Sequence, residues 1–457
     1  MDKQNEALEH GNVKRLLLQY ALPAIIATTA TSFYNIIDRI FIGQGVGPLA
    51  ISGLALTFPI MNLGTALGTL VGAGSSAIIS IRMGEKRQDE AIQTLGNAFV
   101  LNTIIGISFS VFALLFLDPL LYLFGASDAT LPYARDFMRV ILLGNVITHL
   151  FFGLNNIIRA SGYPTKAMIS LLLTIGVNII LAPLFIFVFH WGIKGAATAT
   201  VISQSVGLVW VVSHFLSKKP YVHFTKSCFR LSWRIIGSVF SIGVAPFLIH
   251  CCSCLIAILM NWQLGHYGGD LAIGAFGIIN SIISLLIMIM FGFTQGMQPI
   301  VGYNWGAKQH DRAIEAFRLT IYYATTVAII GFLAAECFPR FIAHWFTTDS
   351  ELISITAKGL RIYVICLSVV GFQVVTTNFF QSIGKAGISV FLSMTRQLLF
   401  LTPLLLLLPP AFGLAGVWFA TPIADLISAL VTAGVLWWYW RKKLKVDKLR
   451  LIPDTTN

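Results

Sequence analysis

Residues 16–42 read LLLQYALPAIIATTATSFYNIIDRIFI, an apolar run that contains a single carboxylate, Asp38. About 20 such residues in a helix cross the hydrocarbon core of a bilayer, so the run predicts a membrane span. A carboxylate inside a span costs about 2.5–3.5 kcal/mol on insertion scales, and such groups face a bundle interior or a water-filled cavity. Residues three, four and seven apart share a helical face, and the face that holds Asp38 also holds Thr31, Tyr34 and Asn35. We therefore expect a functional polar stripe on this helix.

The composition indicates a polytopic membrane protein. The chain has 457 residues, of which 56% are hydrophobic and 11% are charged, and apolar runs of spanning length recur along it. The net charge of +12 does not predict a nucleic-acid partner, because the basic residues lie in short loops between apolar runs. The first run lacks the short core and small-residue cleavage site of a signal peptide, so we expect the N-terminus to be retained.

Breaks between the apolar runs predict an all-α membrane protein with twelve transmembrane helices. The predicted spans are residues 16–42, 51–80, 92–117, 133–159, 166–189, 195–216, 235–262, 271–298, 315–338, 358–382, 388–408 and 414–440. An even number places both termini on one side of the membrane. Most lysines and arginines lie on that side, and aromatic residues 437–440 precede the basic tail. We expect a multi-pass protein of the cell inner membrane with both termini cytoplasmic.

The six cysteines do not predict a metal or redox site. Cys251 and Cys254 form a CxxC pattern, but it lies inside an apolar run without a second ligand pair. Buried free cysteines behave as small hydrophobic residues, so helix packing explains these two better. We expect no metal and no cofactor apart from a coupling ion.

The chain contains an internal duplication. Residues 83–92 (MGEKRQDEAI) align without gaps with residues 305–314 (WGAKQHDRAI) and are identical at half of their positions. The same register pairs Gly43 with Gly265, Gly162 with Gly384, and Asn156 with Asn378. Matches clustered in polar loops are not expected by chance in so apolar a chain.

The duplication predicts two pseudo-symmetric six-helix bundles of like orientation, a plan that transporters use to hold a central site. We expect an N-lobe of residues 1–216 with spans one to six and a C-lobe of residues 235–457 with spans seven to twelve. A cytoplasmic basic linker, residues 217–234, joins them.

Several separate motifs resemble those of the multidrug and toxic compound extrusion (MATE) family. The motifs are IIDRIFIG at 36–43, GEKRQDEAI at 84–92, RASGYPTKAM at 159–168, NIILAPLFIF at 178–187, QGMQPIVGYNWGAK at 295–308 and TPIADLIS at 421–428. The resemblance covers essentially all twelve spans. It implies a V-shaped pair of bundles that exports amphipathic, mostly cationic organic compounds in exchange for H⁺ or Na⁺ by alternating access.

The resemblance also implies an ion-coupling cluster in the N-lobe. Carried over residue by residue, the first-helix acid is Asp38 and the fifth-helix amide is Asn178. The fourth-helix amide is Asn155 or its neighbour Asn156, and the sixth-helix hydroxyl is Thr200 or Thr198.

One family position departs from this pattern. The second acid of the cluster should stand at residue 182, where this chain has Ala182. Either the chain works with Asp38 alone, or Ala182 replaces an aspartate and blocks coupling. An alanine supplies no oxygen to a hard cation, which argues against Na⁺. Burial favours the neutral form of a carboxyl group, so Asp38 alone suits proton exchange.

Further polar residues inside the spans are candidates for a substrate cleft. They are Tyr34, Asn35, His149, Gln295, Gln298, Gln373 and Gln381. Each has a structural alternative: the amides form interhelical hydrogen bonds, and His149 packs as a neutral residue rather than titrating. Asp38 also has a structural alternative, which is an ion pair with the adjacent Arg39. For Arg396 and Asp425 in the last two spans, a buried structural ion pair is the preferred interpretation.

The leading hypothesis is therefore a multidrug efflux antiporter, with small-molecule drugs and membrane lipids as partners and a monomeric state. The alternative is a lipid-linked oligosaccharide flippase of the same superfamily, which would need cationic cleft residues for phosphates; Arg396 is the main candidate. An enzyme is not expected, because HExxH, GxSxG and Walker patterns do not occur. A phosphate-binding arginine would favour the flippase, and a lone titrating acid the exporter.

Overall fold

The computed structural model describes residues 3–217, 219–346 and 349–450, and every regular element in these ranges is helical. Lys218 of the predicted linker and residues 347, 348 and 451–457 of the predicted C-lobe lie outside the described residues. The all-α prediction is therefore confirmed for the described chain.

Long helices account for most of the first half. They are α1 (Lys3–His10), α2 (Val13–Gly45), α3 (Pro48–Gly84), α4 (Gln88–Leu115), α5 (Leu117–Leu123), α6 (Leu131–Ala160), α7 (Pro164–Pro183) and α8 (Gly192–Leu216). A π-helix, Leu184–Val188, extends α7, and a 3₁₀ turn, Lys226–Phe229, lies in the linker. The Asn12 side chain caps α2 by accepting a 3.1 Å hydrogen bond from the Arg15 N–H.

The second half repeats this order. Residues Trp233–Gly306 are interrupted at Gly269, which gives α9 (Trp233–Gly269) and α10 (Leu271–Gly306). The helices that follow are α11 (His310–Cys337), α12 (Pro339–His344), α13 (Ser350–Val364), α14 (Leu367–Ser382), α15 (Ala386–Met394), α16 (Thr402–Leu407) and α17 (Pro409–Arg450). A π-helix, Thr395–Leu401, separates α15 from α16, and Gly413 interrupts α17.

Eleven helices of the described chain are long and apolar enough to span a membrane. A twelfth span is formed by α13 and α14 together, which meet at a 51° bend. The predicted span 358–382 crosses this bend, so it is a broken helix rather than the single one expected. With the bent pair counted as one span, the prediction of twelve is confirmed.

Backbone conformation repeats in the register of the sequence duplication. Left-handed residues occur in pairs at Gly47 and Gly269 (φ 116° and 66°), Lys86 and Lys308 (59° and 60°), and Gly162 and Gly384 (98° and 74°). A lysine in this region carries a steric cost of about 1–2 kcal/mol. Both lysines lie at equivalent positions, in the tight turns that follow α3 and α10.

The chain divides into two compact units. The first comprises Met1–Leu255, Ile283–Thr320 and Asn378–Val390; the second comprises Ile256–Ile282, Ile321–Thr377 and Phe391–Asn457. In the first unit α7 packs against α2, α6 and α8, and in the second the π-helix after α15 packs against α17. The lobe boundaries given above, 1–216 and 235–457, stay a prediction.

Inside the first unit, the ends of α3 and α10 meet through two glycines at equivalent positions. A Cβ on Gly84 would lie 2.7 Å from the carbonyl carbon of Tyr303, and one on Gly306 would lie 3.0 Å from that of Ile81. Backbone atoms cannot move aside as the end of a flexible side chain can. Both positions therefore require glycine.

We predict that Gly306→Ala destabilises the protein by about 1–3 kcal/mol, because the added methyl overpacks a backbone–backbone contact. The matched control is Gly237→Ala, where an added Cβ meets nothing within 4 Å and alanine favours the helix by about 0.5–1 kcal/mol. The thermal midpoint of the purified protein in detergent measures both. A midpoint for Gly306→Ala at or above that of Gly237→Ala would contradict the close packing.

Candidate functional site

Asp38 lies in α2 with a half-buried side chain. Its Oδ1 atom is shielded from solvent and has no hydrogen-bond partner among the described residues. Arg39 is exposed, and no ion pair joins it to Asp38 in the described part of the chain. The two neighbours therefore do not form the ion pair of the alternative interpretation, although Arg39 lies close enough to interact with the Asp38 charge. A carboxylate oxygen that is shielded from water and lacks an ion-pair partner favours uptake of a proton or of a mobile cation.

A cavity of about 50 Å³ lies beside this helix, between α2, α6, α7 and α8. Its polar lining comes from Thr31, Tyr34, Thr174, Asn178, Thr200, Ser203 and Gln204. Its apolar wall includes Phe151 and Phe152 of α6. Tyr34 stands one turn from Asp38 on the same helix face and close enough to interact with its charge. A space of this size is sufficient for a few water molecules.

Thr200 is the centre of the hydrogen-bond network in this cavity. Its hydroxyl donates to the Ala196 carbonyl at 3.1 Å and accepts from Asn178 Nδ2 at 3.2 Å. The Thr200 hydroxyl has one proton, which it donates to Ala196. In the 3.3 Å hydrogen bond between Tyr34 Oη and Thr200 Oγ1, the tyrosine is therefore the donor. Asn178 Nδ2 also lies 3.4 Å from Ser203 Oγ, which leaves its Oδ1 acceptor outside these bonds. The network therefore brings Tyr34, Asn178 and Thr200 together.

The structure distinguishes Thr200 from Thr198. Thr198 does not line the cavity, and its hydroxyl donates to the Lys194 carbonyl of its own helix at 2.7 Å. Of the two candidates for the sixth-helix position, Thr200 is the one that lines the cavity.

Asn155 belongs to a different network. Its Nδ2 donates to the Ala167 carbonyl at 2.9 Å and to Ser170 Oγ at 2.5 Å, and its Oδ1 accepts from Arg159 Nη2 at 3.3 Å. These bonds fasten α6 to the start of α7 and do not connect Asn155 with Thr200. Its neighbour Asn156 has its amide nitrogen beside Gly72. Neither amide is in the Tyr34–Asn178–Thr200 network.

Ala182 is fully buried in a small apolar cluster. The cluster contains Phe185 and Ala199 and is completed by Phe41 and two leucines. The position that holds an acid in the family pattern is therefore apolar here. Residue 182 therefore does not provide a second carboxylate beside Asp38.

Of the predicted cleft residues, Tyr34 lines this cavity and the others do not. Gln295 accepts a hydrogen bond from Arg159, and Gln298 Nε2 donates to Ser76 Oγ at 3.1 Å. His149 is buried with no described partner on either ring nitrogen, beside Gly68 and Gly106, as a packed neutral histidine would be.

The remaining cleft candidates are equally scattered. Gln373 and Gln381 are buried in α14, and the Oε1 atom of Gln373 has no described partner. Asn35 is exposed.

Sequence reasoning missed several residues that the structure makes prominent. Ser203 and Gln204 line the cavity, and Thr148 donates a hydrogen bond to Gln204. The signal was present, since residues 200, 203 and 204 share a helical face. Arg159 was also missed: it is buried at the end of α6 and bound to two neutral amides, and no acid pairs with it in the described residues.

A family model described as MatE matches residues 23–184 and again residues 246–407, which together are well over half of the chain. The chain belongs to the MatE family. The two matches fall in the two halves, in agreement with the duplicated backbone turns. MATE proteins are transporters, so the transporter class predicted from the sequence is confirmed.

Relatives of this chain support the same assignment along its whole length. The multidrug export protein MepA of Staphylococcus haemolyticus (strain JCSC1435) is 26% identical over 451 residues, which is 99% of each chain. A structure of the MATE multidrug transporter DinF-BH is 36% identical, with a TM-score of 0.86 over 93% of this chain and 95% of that one. A structure of a MATE protein in the bent conformation gives a TM-score of 0.91 at 25% identity, over 97% and 99%.

We predict that Thr200→Val lowers stability by about 1–3 kcal/mol and reduces transport, because Asn178 and Tyr34 both lose their acceptor. The matched control is Thr198→Val, which removes only a bond within one helix. Thermal unfolding and drug efflux from cells measure the two effects. Equal losses in the two variants would show that the network around Thr200 has no special role.

Proposed function

We propose that this MATE transporter is a multidrug efflux antiporter that exports amphipathic, mostly cationic organic compounds in exchange for H⁺. The observation that carries the proposal is the half-buried Asp38 carboxylate, which has one oxygen shielded from water, forms no ion pair in the described residues, and lies one helical turn from the cavity-lining Tyr34. The name of MepA describes multidrug export, and DinF-BH is described as a multidrug transporter. Both relatives support small organic compounds as the class of substrate.

The polar groups near Asp38 favour a proton over Na⁺ as the coupling ion. Tyr34, Asn178 and Thr200 offer neutral oxygens, and the second acid of the family pattern is replaced by Ala182 in an apolar cluster. A hard cation is held best by several oxygens, preferably anionic ones. A proton needs only the carboxylate itself, so one acid is sufficient.

A proton and the exported compound compete for Asp38, and this competition couples proton entry to export. The ionised carboxylate attracts a cationic compound, whereas the protonated one does not, so proton uptake from outside favours release of the compound there. A ligand shifts a conformational equilibrium only by its difference in affinity for the two states. The two forms of Asp38 would differ in the preferred shape of α2, which contains Pro23 as a bend point.

The flippase alternative is disfavoured by the arginines. Arg396, the candidate for a lipid phosphate, donates from Nε to Asp425 Oδ1 at 2.5 Å and is already paired. Arg159 is buried and bound to Gln295 and Asn155. Neither side chain is presented as an unpaired phosphate ligand.

We further propose that the protein lies in the cell inner membrane as a monomer with both termini cytoplasmic. Arg441 lies 4.1 Å from the ring centroid of Trp437, and Lys442 lies 5.3 Å from that of Trp438. Aromatic rings next to basic side chains are typical of the membrane–water interface. Their place at the end of the last span fits a basic cytoplasmic tail.

We predict that proteoliposomes containing this chain accumulate ethidium, a fluorescent organic cation, under an imposed pH gradient. Asp38→Asn should abolish this accumulation, because an amide cannot exchange a proton. Asp118→Asn is the matched control, since Asp118 pairs with Arg135 at 2.7 Å away from the cavity. A Na⁺ gradient without a pH gradient should not drive accumulation.

Ala182→Asp separates the two interpretations of the missing acid. If Asp38 works alone, this variant gains no transport and loses stability, because a charge enters an apolar cluster. Transport that appears only in Ala182→Asp would show that the chain needs a second carboxylate. Unchanged transport in Asp38→Asn would contradict the proposed role of Asp38.

A further inference from the structure

The second compact unit contains an ion pair inside the apolar spans, between a buried Asp425 and a half-buried Arg396. Arg396 Nε donates to Asp425 Oδ1 at 2.5 Å, and Asp425 is only 3% exposed. Arg396 lies on the π-helix Thr395–Leu401, which packs against α17, where Asp425 lies. Single-turn π-helical segments within α-helices frequently mark functional sites.

The internal duplication assigns this pair to the position of the cavity in the first half. Segment α15 begins after the left-handed Gly384 as α7 begins after the left-handed Gly162. In that register Arg396 is the equivalent of Thr174, and Asp425 is the equivalent of Ser203.

A second alignment of the last span leads to the same place. Gly192 and Gly413 are both left-handed and precede the long part of α8 and α17. Pairing these two glycines makes Asp425 the equivalent of Gln204. Thr174, Ser203 and Gln204 all line the cavity beside α2, so either register puts the ion pair at the cavity's counterpart.

The two halves therefore carry different charges on a common backbone. The first half has Asp38 without a cation beside neutral hydroxyl and amide groups, and the second has Met260, buried at 1%, at the position of Asp38. In the second half the corresponding carboxylate is Asp425 on α17, and Arg396 is bound to it.

We propose that the Arg396 guanidinium is a tethered cation that permanently fills a second cation position, so that Asp425 does not load or release an ion during transport. This inference rests on the proposed function of Asp38 as the exchanging acid. It makes the transporter a duplicated protein with one exchangeable site and one closed site.

The surroundings of the pair leave Asp425 dependent on Arg396. Among the described residues, the titratable groups that interact with the two charges are Tyr363, which interacts with both of them, and Cys366, which interacts with Asp425. A phenol and a thiol are uncharged at neutral pH in ordinary environments. Removing Arg396 would therefore leave a buried carboxylate with no cation to bind.

Chemical rescue tests this dependence in the purified full chain. Arg396→Ala should lower the thermal midpoint by roughly 5–10 °C, and millimolar guanidinium should restore a large part of the loss, because a ligand that binds only the folded state stabilises it. The same concentration of NaCl serves as the control for ionic strength. Arg396→Ala combined with Asp425→Asn should show no rescue, nor should Arg135→Ala, which opens a pair that is more exposed than Arg396–Asp425.

Guanidinium that fails to raise the midpoint of Arg396→Ala, or that raises all three variants equally, would overturn the proposal. If Arg396→Ala does not fold, the neutral double variant Arg396→Met with Asp425→Leu tests the proposal instead. It should fold and retain wild-type dependence on the pH gradient, and loss of that dependence in the folded protein would show that the pair takes part in exchange. Normal transport by Asp38→Asn would contradict the proposed function of Asp38. It would not change the interpretation of the guanidinium rescue.

Discussion

The cost of burying one carboxylate is the constraint on which the rest of this structure depends. Asp38 lies in a membrane-spanning helix, half-buried, with one carboxylate oxygen shielded from water and no ion pair in the described residues. A charge in such a place costs about 2.5–3.5 kcal/mol on insertion scales. The helix can therefore hold Asp38 in its ionised form only while a mobile cation is near, and otherwise it holds the neutral acid. The proposed exchange of a proton for a cationic compound rests on that requirement.

The neighbouring helices provide uncharged hydrogen-bonding groups near Asp38, and residue 182 provides no second carboxylate. Thr200 accepts hydrogen bonds from Tyr34 and Asn178, so three helices are joined through one hydroxyl group. Ala182 keeps the adjacent position apolar. In the second half the equivalent region contains Arg396 and Asp425, which neutralise each other. Duplication has preserved the backbone turns at Lys86 and Lys308 while the buried charges have diverged.

Much of the fold was predictable because membrane spans are encoded by length and hydropathy. The twelve spans and the duplication follow from the sequence and recur in the structure. Of the predicted polar stripe, Thr31 and Tyr34 line the cavity, whereas Asn35 is exposed. The bend between α13 and α14 was not predicted, because the apolar pattern continues through it.

The site was predictable only in part, because hydrogen-bond partners depend on helix rotation. Thr198 and Thr200 differ by two positions, and tertiary packing alone decides which of them meets Asn178. Asn155 was assigned to the coupling cluster, yet it bonds to Ala167 and Ser170. Arg159 escaped notice because its partner Gln295 is distant in sequence.

The most direct test of the central claim is proton release on compound binding. Ethidium would be titrated into the purified protein in weakly buffered detergent solution, with a pH-sensitive dye as the readout. The account predicts that binding releases protons from the parent chain and that Asp38→Asn binds ethidium more weakly and releases none. Binding without proton release, or equal release from both proteins, would contradict the view that the proton and the compound compete for Asp38.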